Sequence, residues 1–268
     1  MGGRVSRAQG PKPFLRWAGG KAKFAAQFAP MVQFLTHGRI YVEPFVGGGA
    51  MFFAVQPEEA LLNDTNVELM TTYEAVKNNA TAVADALVEL RAFGVDETSY
   101  YQVRETLPEN QEEIAARFIY LNKTCFNGLY RVNRDGLFNV PYGKLTSPAI
   151  PTLHELTKVQ NALANAHLRS QDAVGIIGAA DETTFLYVDP PYDGTYDGYT
   201  ENGFSWDDQT RLAEALKESA ALFLAHNANT ERVTKLYSWA HVMPVAESWS
   251  VAARAQDRAT SKCLLITR

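Results

Sequence analysis

The sequence predicts an α/β fold: a Rossmann-like, largely parallel sheet built from two chain segments, interrupted by a mostly helical insert. Three observations carry that prediction. Short apolar runs rich in β-branched and aromatic residues recur along the chain, the first of them runs straight into a glycine-rich turn, and strand signals nearly vanish between positions 67 and 165 before returning.

The run Ile40 to Val42 reads as a strand, Pro44-Phe-Val-Gly-Gly-Gly49 as a turn, and Ala50 to Val55 as a helix, with Ala60 to Asp64 as a second short strand ending in an acid. This is the opening βαβ unit of a doubly wound sheet. Helical periodicity then takes over, with Ala82 to Leu90, Tyr100 to Leu107 and Ile114 to Leu121 as expected helices. Strands return around His167 to Gln171 and at Thr184 to Val188. Trp206 to Ala220 reads as an amphipathic helix, Ala221 to Ala225 as a strand, Thr230 to Trp239 as a helix, and His241 to Ala246 and Cys263 to Thr267 as the last strands. The expected organisation is therefore an α/β domain from residues 1–66 and 166–268, and an inserted domain of residues 67–165 with a hairpin at 126–144.

Composition narrows the functional classes. With 46% hydrophobic and 21% charged residues over 268 positions, the chain reads as an ordinary globular protein. No stretch approaches the roughly 18 apolar residues of a membrane span, and the first ten residues lack the apolar core of a signal peptide. A cytoplasmic protein with no membrane partner is expected. Cys125 and Cys263 stand far apart, and His37, His154, His167, His226 and His241 are scattered, so no metal site is expected. The net charge of −5 argues against a general polyanion binder. Between 114 and 150 the balance reverses: Arg117, Lys123, Arg131, Arg134 and Lys144 face one acid, Asp135, with Phe126, Tyr130, Phe138 and Tyr142 interleaved. Cations and aromatics alternating in a turn-rich segment suit phosphate contact and base readout.

Three motifs carry chemistry. The glycines after the first strand let backbone approach a ligand closely, and Asp64, at the end of the second strand, can accept the hydroxyls of a nucleoside ribose. Together they favour a nucleoside cofactor. Asp189-Pro-Pro-Tyr192 ends a buried strand, at the sheet edge where ligands bind in open α/β folds. The Asp189 carboxylate and the rigid Pro190 carbonyl can each accept one N–H of an exocyclic amine, and Tyr192 can stack on a base brought out of its helix. Pro13 to Lys21, "PFLRWAGGK", places an aromatic and a cation around a tight turn, and taken alone reads better as an anchored N-terminal arm with Trp17 packed in the core.

In order along the chain, "PFLRWAGGK", "YVEPFVGGGAMFF", "NGLYRVNRDGLFNVPYG" and "DPPY" make the sequence resemble the Dam-type DNA adenine N6-methyltransferases over nearly its whole length. The resemblance implies a Rossmann-like AdoMet-dependent methyltransferase sheet, with the helical insert as target-recognition domain. It implies S-adenosyl-L-methionine as cofactor, held by Trp17, Lys21, Phe45, Gly47, Asp64, Asp172 and Asp189, and Asp189, Pro190, Pro191 and Tyr192 as the catalytic tetrad. It further implies double-stranded DNA as partner, contacted by Arg16, Lys123, Asn127, Leu129, Arg131, Arg134 and Tyr142. Arg131 would read guanine, and the hairpin points to GATC as target. Arg254, Arg258 and Lys262 align loosely with a loop that grips the DNA backbone. A monomer in solution, with one or two copies per DNA site, is expected, in a prokaryotic nucleoid or a phage-infected cell. Alternatives are the same chemistry on cytosine N4 or an RNA adenine, an inactive DNA-binding module, and a dinucleotide oxidoreductase.

Overall fold

The computed structural model describes residues 10–194, 203–247 and 261–268. In chain order the described residues form α1 (Ala22–Thr36), β1 (Ile40–Glu43), α2 (Ala50–Val55), β2 (Ala60–Asn63), α3 (Val67–Phe93), α4 (Glu97–Glu105), α5 (Gln111–Thr124), a 3-10 turn (Phe126–Gly128), α6 (Leu153–Leu163), β3 (Ala166–Arg169), α7 (Ala173–Gly178), β4 (Thr184–Val188), α8 (Trp206–Glu218), β5 (Leu222–Ala228), α9 (Glu231–Leu236), β6 (His241–Glu247) and β7 (Ser261–Thr267).

The strands form one mixed sheet in the order β3-β2-β1-β4-β5-β7-β6. β1 to β5 run parallel, and β7 inserts antiparallel between β5 and β6. Strand order reverses between β1 and β4, which pair with Val42 opposite Leu186. That reversal opens a crevice beyond their carboxyl ends, and Glu43 and Asp189 sit at its mouth.

β4 explains its own sequence. All five residues are buried, because alternate side chains enter different cores: Phe185 and Tyr187 join one hydrophobic cluster, Leu186 and Val188 the other. A strand covered on both faces needs no polar alternation. The cluster holding Phe185 and Tyr187 continues without a break into Leu69 and Tyr73 of α3 and Phe118 of α5, so the helical segment and the sheet share one core.

Of the helices that differ from expectation, three do so for a clear physical reason. α3 begins at Val67, not Ala82. Its two halves meet at Asn79, which leaves helical geometry (φ −151°) and whose side chain caps Ala82 N–H at 3.1 Å; the first half is buried around much of its circumference, which blurs the periodicity. α1 contains Pro30, ordinarily a breaker, and forms because Phe24, Ala25, Ala29 and Val32 are buried. The six-residue α7, capped by Asp172, is too short for a periodic signal. Among the described residues no helix is long and apolar enough to cross a membrane.

Candidate active site

The turn between β1 and α2 is closed by Gly49 N–H to Val46 O (2.7 Å) and tied to β2 by Val46 N–H to Asn63 O (2.8 Å). Gly47 has φ +46°, and a Cβ there would fall 2.6 Å from Cδ1 of Trp17. Glycine is required twice over, by conformation and by the indole beside it. Gly47→Ala is expected to destabilise the protein by about 1–3 kcal/mol, read as a lower denaturation midpoint; an unchanged midpoint would contradict the packing described.

Asp64 accepts the N–H groups of Gly47 and Asn66, each at 3.0 Å, and burial raises its carboxyl above the usual range despite those bonds. Tyr73 Oη donates to Gly47 O at 3.1 Å. The buried Asn63 binds the next loop: its Nδ2 donates to the carbonyls of Pro44 (2.9 Å) and Gln171 (3.0 Å), and its Oδ1 accepts Gln171 N–H at 2.9 Å. One amide thus clamps two strand-to-helix loops together at the mouth of the crevice. Asp172 follows, exposed, capping α7 and ion-paired with Arg211 at 2.5 Å.

Glu43 ends β1 and is 2% exposed. Tyr41 Oη donates a short hydrogen bond to it, yet burial pushes its carboxyl up to about 8, with a small contribution from the Asp189 charge. Between pH 4.5 and about 8 the folded protein therefore keeps a proton that the unfolded chain has released. Stability contributed by this group falls as pH rises through that window and levels off above it. Glu43→Gln is expected to remove that fall, so melting temperatures of variant and wild type should diverge in the variant's favour between pH 5 and 8. A constant difference would contradict the assignment.

At the end of β4, Lys21 Nζ lies 3.1 Å from Asp189 Oδ1 and 4.5 Å from the centroid of the Tyr192 ring. A buried amide pair holds the loop that follows: Gln209 Nε2 donates to Pro191 O (2.8 Å) and Asn227 Nδ2 to Gln209 Oε1 (2.8 Å), while Asn227 Oδ1 accepts Asp193 N–H (3.2 Å). Asp193 is gripped in turn by Arg232 and Thr230. His226, also buried, packs edge-on against Phe24 and Tyr187; burial and the nearby Lys21 charge keep it neutral, well below its ordinary pKa.

One cavity of about 660 Å³ joins these parts. Trp17, Lys21, Phe45, Gly47, Asp64 and Asp172 line it together with Asp189, Pro190, Pro191 and Tyr192. Asn127 and Leu129 reach it from the segment after α5. Trp17 also stacks on Tyr130 (5.9 Å) and Phe118, so packing and cavity lining coexist in one residue.

The remaining residues expected to contact DNA do not line the cavity. Arg16 is anchored through its backbone, whose N–H and C=O pair with the buried Asn122 at 2.8 and 2.7 Å. Its side chain covers Gly128. Arg131 is held by Asn139, through Nε to Oδ1 (2.6 Å) and Nη2 to the carbonyl (3.0 Å). Arg134 is exposed in the tight turn where Gly136 N–H reaches Asn133 O. Tyr142 donates to Val95 O. Two cations depart from the expected display. Lys123 is buried, which lowers its pKa to about 8, with Arg16 adding to the effect; Arg117 is buried too, bonded to Glu68 and to the carbonyls of Val103 and Arg104. Both lie on α5, whose last ten residues are all buried, so neither presents a charge to a partner here. Arg254, Arg258 and the side chain of Lys262 lie outside the described residues.

Glu43, Asn63, Asn122, Gln209 and Asn227 were not singled out from sequence. Glu43 stands inside a quoted motif, Asn122 shortly before another, and Asn227 in none of them. Gln209 carries no sequence signal: it is one polar residue on the buried side of an amphipathic helix.

A doubly wound seven-stranded sheet with this cavity at its switch point is a Rossmann-like arrangement. The family model of D12 class N6 adenine-specific DNA methyltransferases matches residues 17–251, and the chain belongs to that family. Its relatives include the type II methyltransferase M.MjaIII of Methanocaldococcus jannaschii, 36% identical over 92% of this chain and 95% of that protein. The DNA adenine methylase of Escherichia coli K12 is 33% identical over 89% of each chain. The type II methyltransferase M1.LlaDCHI of Lactococcus lactis is 31% identical over 96% and 95%.

Proposed function

We propose that the protein transfers a methyl group from S-adenosyl-L-methionine to adenine N6 in double-stranded DNA, within GATC, after the target adenine leaves the helix and enters the cavity. The observation that carries this reading is the single cavity that joins the Gly47 turn and Asp64 to the Asp189–Tyr192 edge. Donor and acceptor must meet in one space.

The residues fit the cofactor. Gly47 lets the Trp17 indole pack directly on the turn, Trp17 supplies an aromatic wall, and the volume lies within the usual range of roughly 300–1,000 Å³ for small-molecule sites. When bound, the sulfonium supplies an activated methyl electrophile. In this reading Trp17, Lys21, Phe45 and Gly47 form its walls, Asp64 holds the ribose, and Asp172 faces the adenine ring. Asp189 and the Pro190 carbonyl each accept one N–H of adenine N6, which turns the nitrogen lone pair out of conjugation, and Tyr192 stacks on the base. The Gln209–Asn227 pair bonded to the Pro191 carbonyl stiffens that loop, and positioning supplies much of the acceleration.

Residues 1–66 and 166–268 make up the catalytic part, and residues 67–165 read the target. Arg131 takes guanine through O6 and N7, Asn127, Leu129 and Tyr142 shape the hairpin around it, and Arg16 and Arg134 touch flanking phosphates. Unmethylated plasmid treated with protein and cofactor, then challenged with nucleases of opposite sensitivity to adenine methylation in GATC, tests the target. Protection is expected, whereas N6-methyladenine without protection would discard GATC and keep the chemistry.

A further inference from the structure

Lys21 is held as few surface lysines are. Its side chain is 4% exposed, and its ammonium meets three acceptors at once: the Gly19 carbonyl at 3.0 Å, Asp189 Oδ1 at 3.1 Å and the Tyr192 ring face at 4.5 Å. Two of the three are the groups to which the function above assigns the target base. We propose that in the cofactor-free protein the Lys21 ammonium stands in for the exocyclic amine of that base, and that the cofactor must draw it away before the base can seat.

The chemistry of the two donors is matched. An ammonium and an exocyclic amine are nitrogen donors of similar size that seek the same carboxylate oxygen, and a cation over an aromatic ring satisfies the face on which a base would stack. Both cannot lie within hydrogen-bond distance of Asp189 Oδ1 at one place. Until a base arrives, the lysine keeps the carboxylate compensated in a site largely closed to water, where an unpaired charge is costly. The cofactor changes the balance because it brings a cationic sulfonium, which repels a second cation in the same cavity, and an amino-acid carboxylate, which offers Lys21 another partner. Lys21 is placed to respond: it immediately precedes α1, and it follows Ala18-Gly19-Gly20, where Gly19 already has φ +73°. The consequence is an order of events, cofactor first and base second, imposed by one side chain with two alternative partners.

This rests on the reading that Asp189 to Tyr192 receive the base, and the test separates the two. A duplex on which the wild type has been shown to methylate is made with 5-iodouracil in place of the target adenine, irradiated with protein, and the crosslink to Tyr192 is quantified by mass spectrometry, with and without sinefungin as a cationic cofactor analogue. Wild type should crosslink about tenfold more with sinefungin than without. Lys21→Gln and Lys21→Met, without sinefungin, should reach the level of wild type with it, and Lys21→Arg, which keeps the cation, should stay low; duplex binding by each variant confirms that it is folded. Wild type crosslinking fully without sinefungin would overturn the proposal, as would Gln and Met variants that bind the duplex but crosslink no more than wild type without sinefungin. If no protein crosslinks at Tyr192 in any arm, the base-seating reading itself fails and this proposal with it.

Discussion

Asp189→Ala is expected to lower the rate of methyl transfer about a thousandfold while DNA binding persists. The carboxylate stands at the carboxyl end of a fully buried strand, beside the Tyr192 ring and in the cavity shared with the glycine turn. Among the other described carboxylates that line the cavity, Glu43 holds its proton up to about pH 8, and Asp172 and Asp208 are paired with Arg211. Alanine also removes the Asp189 counter-charge from the buried Lys21 ammonium, a change that destabilises in its own right. Asp189→Asn separates the two effects, because an amide oxygen can still face the Lys21 ammonium where the carboxylate oxygen lies at 3.1 Å. It should lose transfer and keep most of its thermal stability. Single-turnover rates alongside gel-shift affinity measure both, and transfer within tenfold of wild type in either variant would remove Asp189 from the chemistry.

The second large effect is on site choice. Arg131→Ala is expected to erode discrimination for guanine at one position of the target by about 1–3 kcal/mol, or roughly five- to 150-fold in relative rate. The structure adds that Arg131 does not hang free in the hairpin. Two of its nitrogens are spent on Asn139, which fixes the direction of the guanidinium before any partner arrives. Asn139→Ala should therefore reproduce a smaller part of the same loss while leaving the arginine in place. Competition between duplexes that differ at a single base pair gives the ratio, and an unchanged preference in Arg131→Ala would contradict the assignment.

The sheet was legible in the sequence because a strand buried on both faces spells itself out as an uninterrupted apolar run, as Thr184 to Val188 does, and because glycine at Gly47 marks a backbone position that no other residue can occupy. Asp189 could be placed for the same reason, since it directly follows such a run, and Asp64 follows a shorter one with only Asn63 between. The helices were less legible. Asn79 ends one helical half and caps the next, so only the second half of α3 shows a clean period, and Pro30 disguised α1, where burial outweighs local preference. Charge counting also misled. Arg117 and Lys123 belong to the stretch whose positive balance suggested a nucleic-acid surface, yet both point into the protein, and the cations it leaves in the hairpin are Arg131, Arg134 and Lys144. Nothing local distinguishes a displayed lysine from a buried one on a helix packed on most sides. The amides Asn63, Asn122, Gln209 and Asn227 were silent for a related reason: each clamps segments far apart in sequence, and a partner 18 to 108 residues away leaves no periodic trace.

The central claim is that this chain places a methyl group from S-adenosyl-L-methionine on adenine N6 of DNA. The most direct test incubates the protein with unmethylated duplex DNA and cofactor tritiated in the methyl group, digests the product to nucleosides and resolves them. Label co-migrating with N6-methyladenosine of the deoxy series, lost in Asp189→Asn, is the predicted result. Label in N4-methylcytosine, or none in DNA from protein that binds both cofactor and duplex, would contradict it.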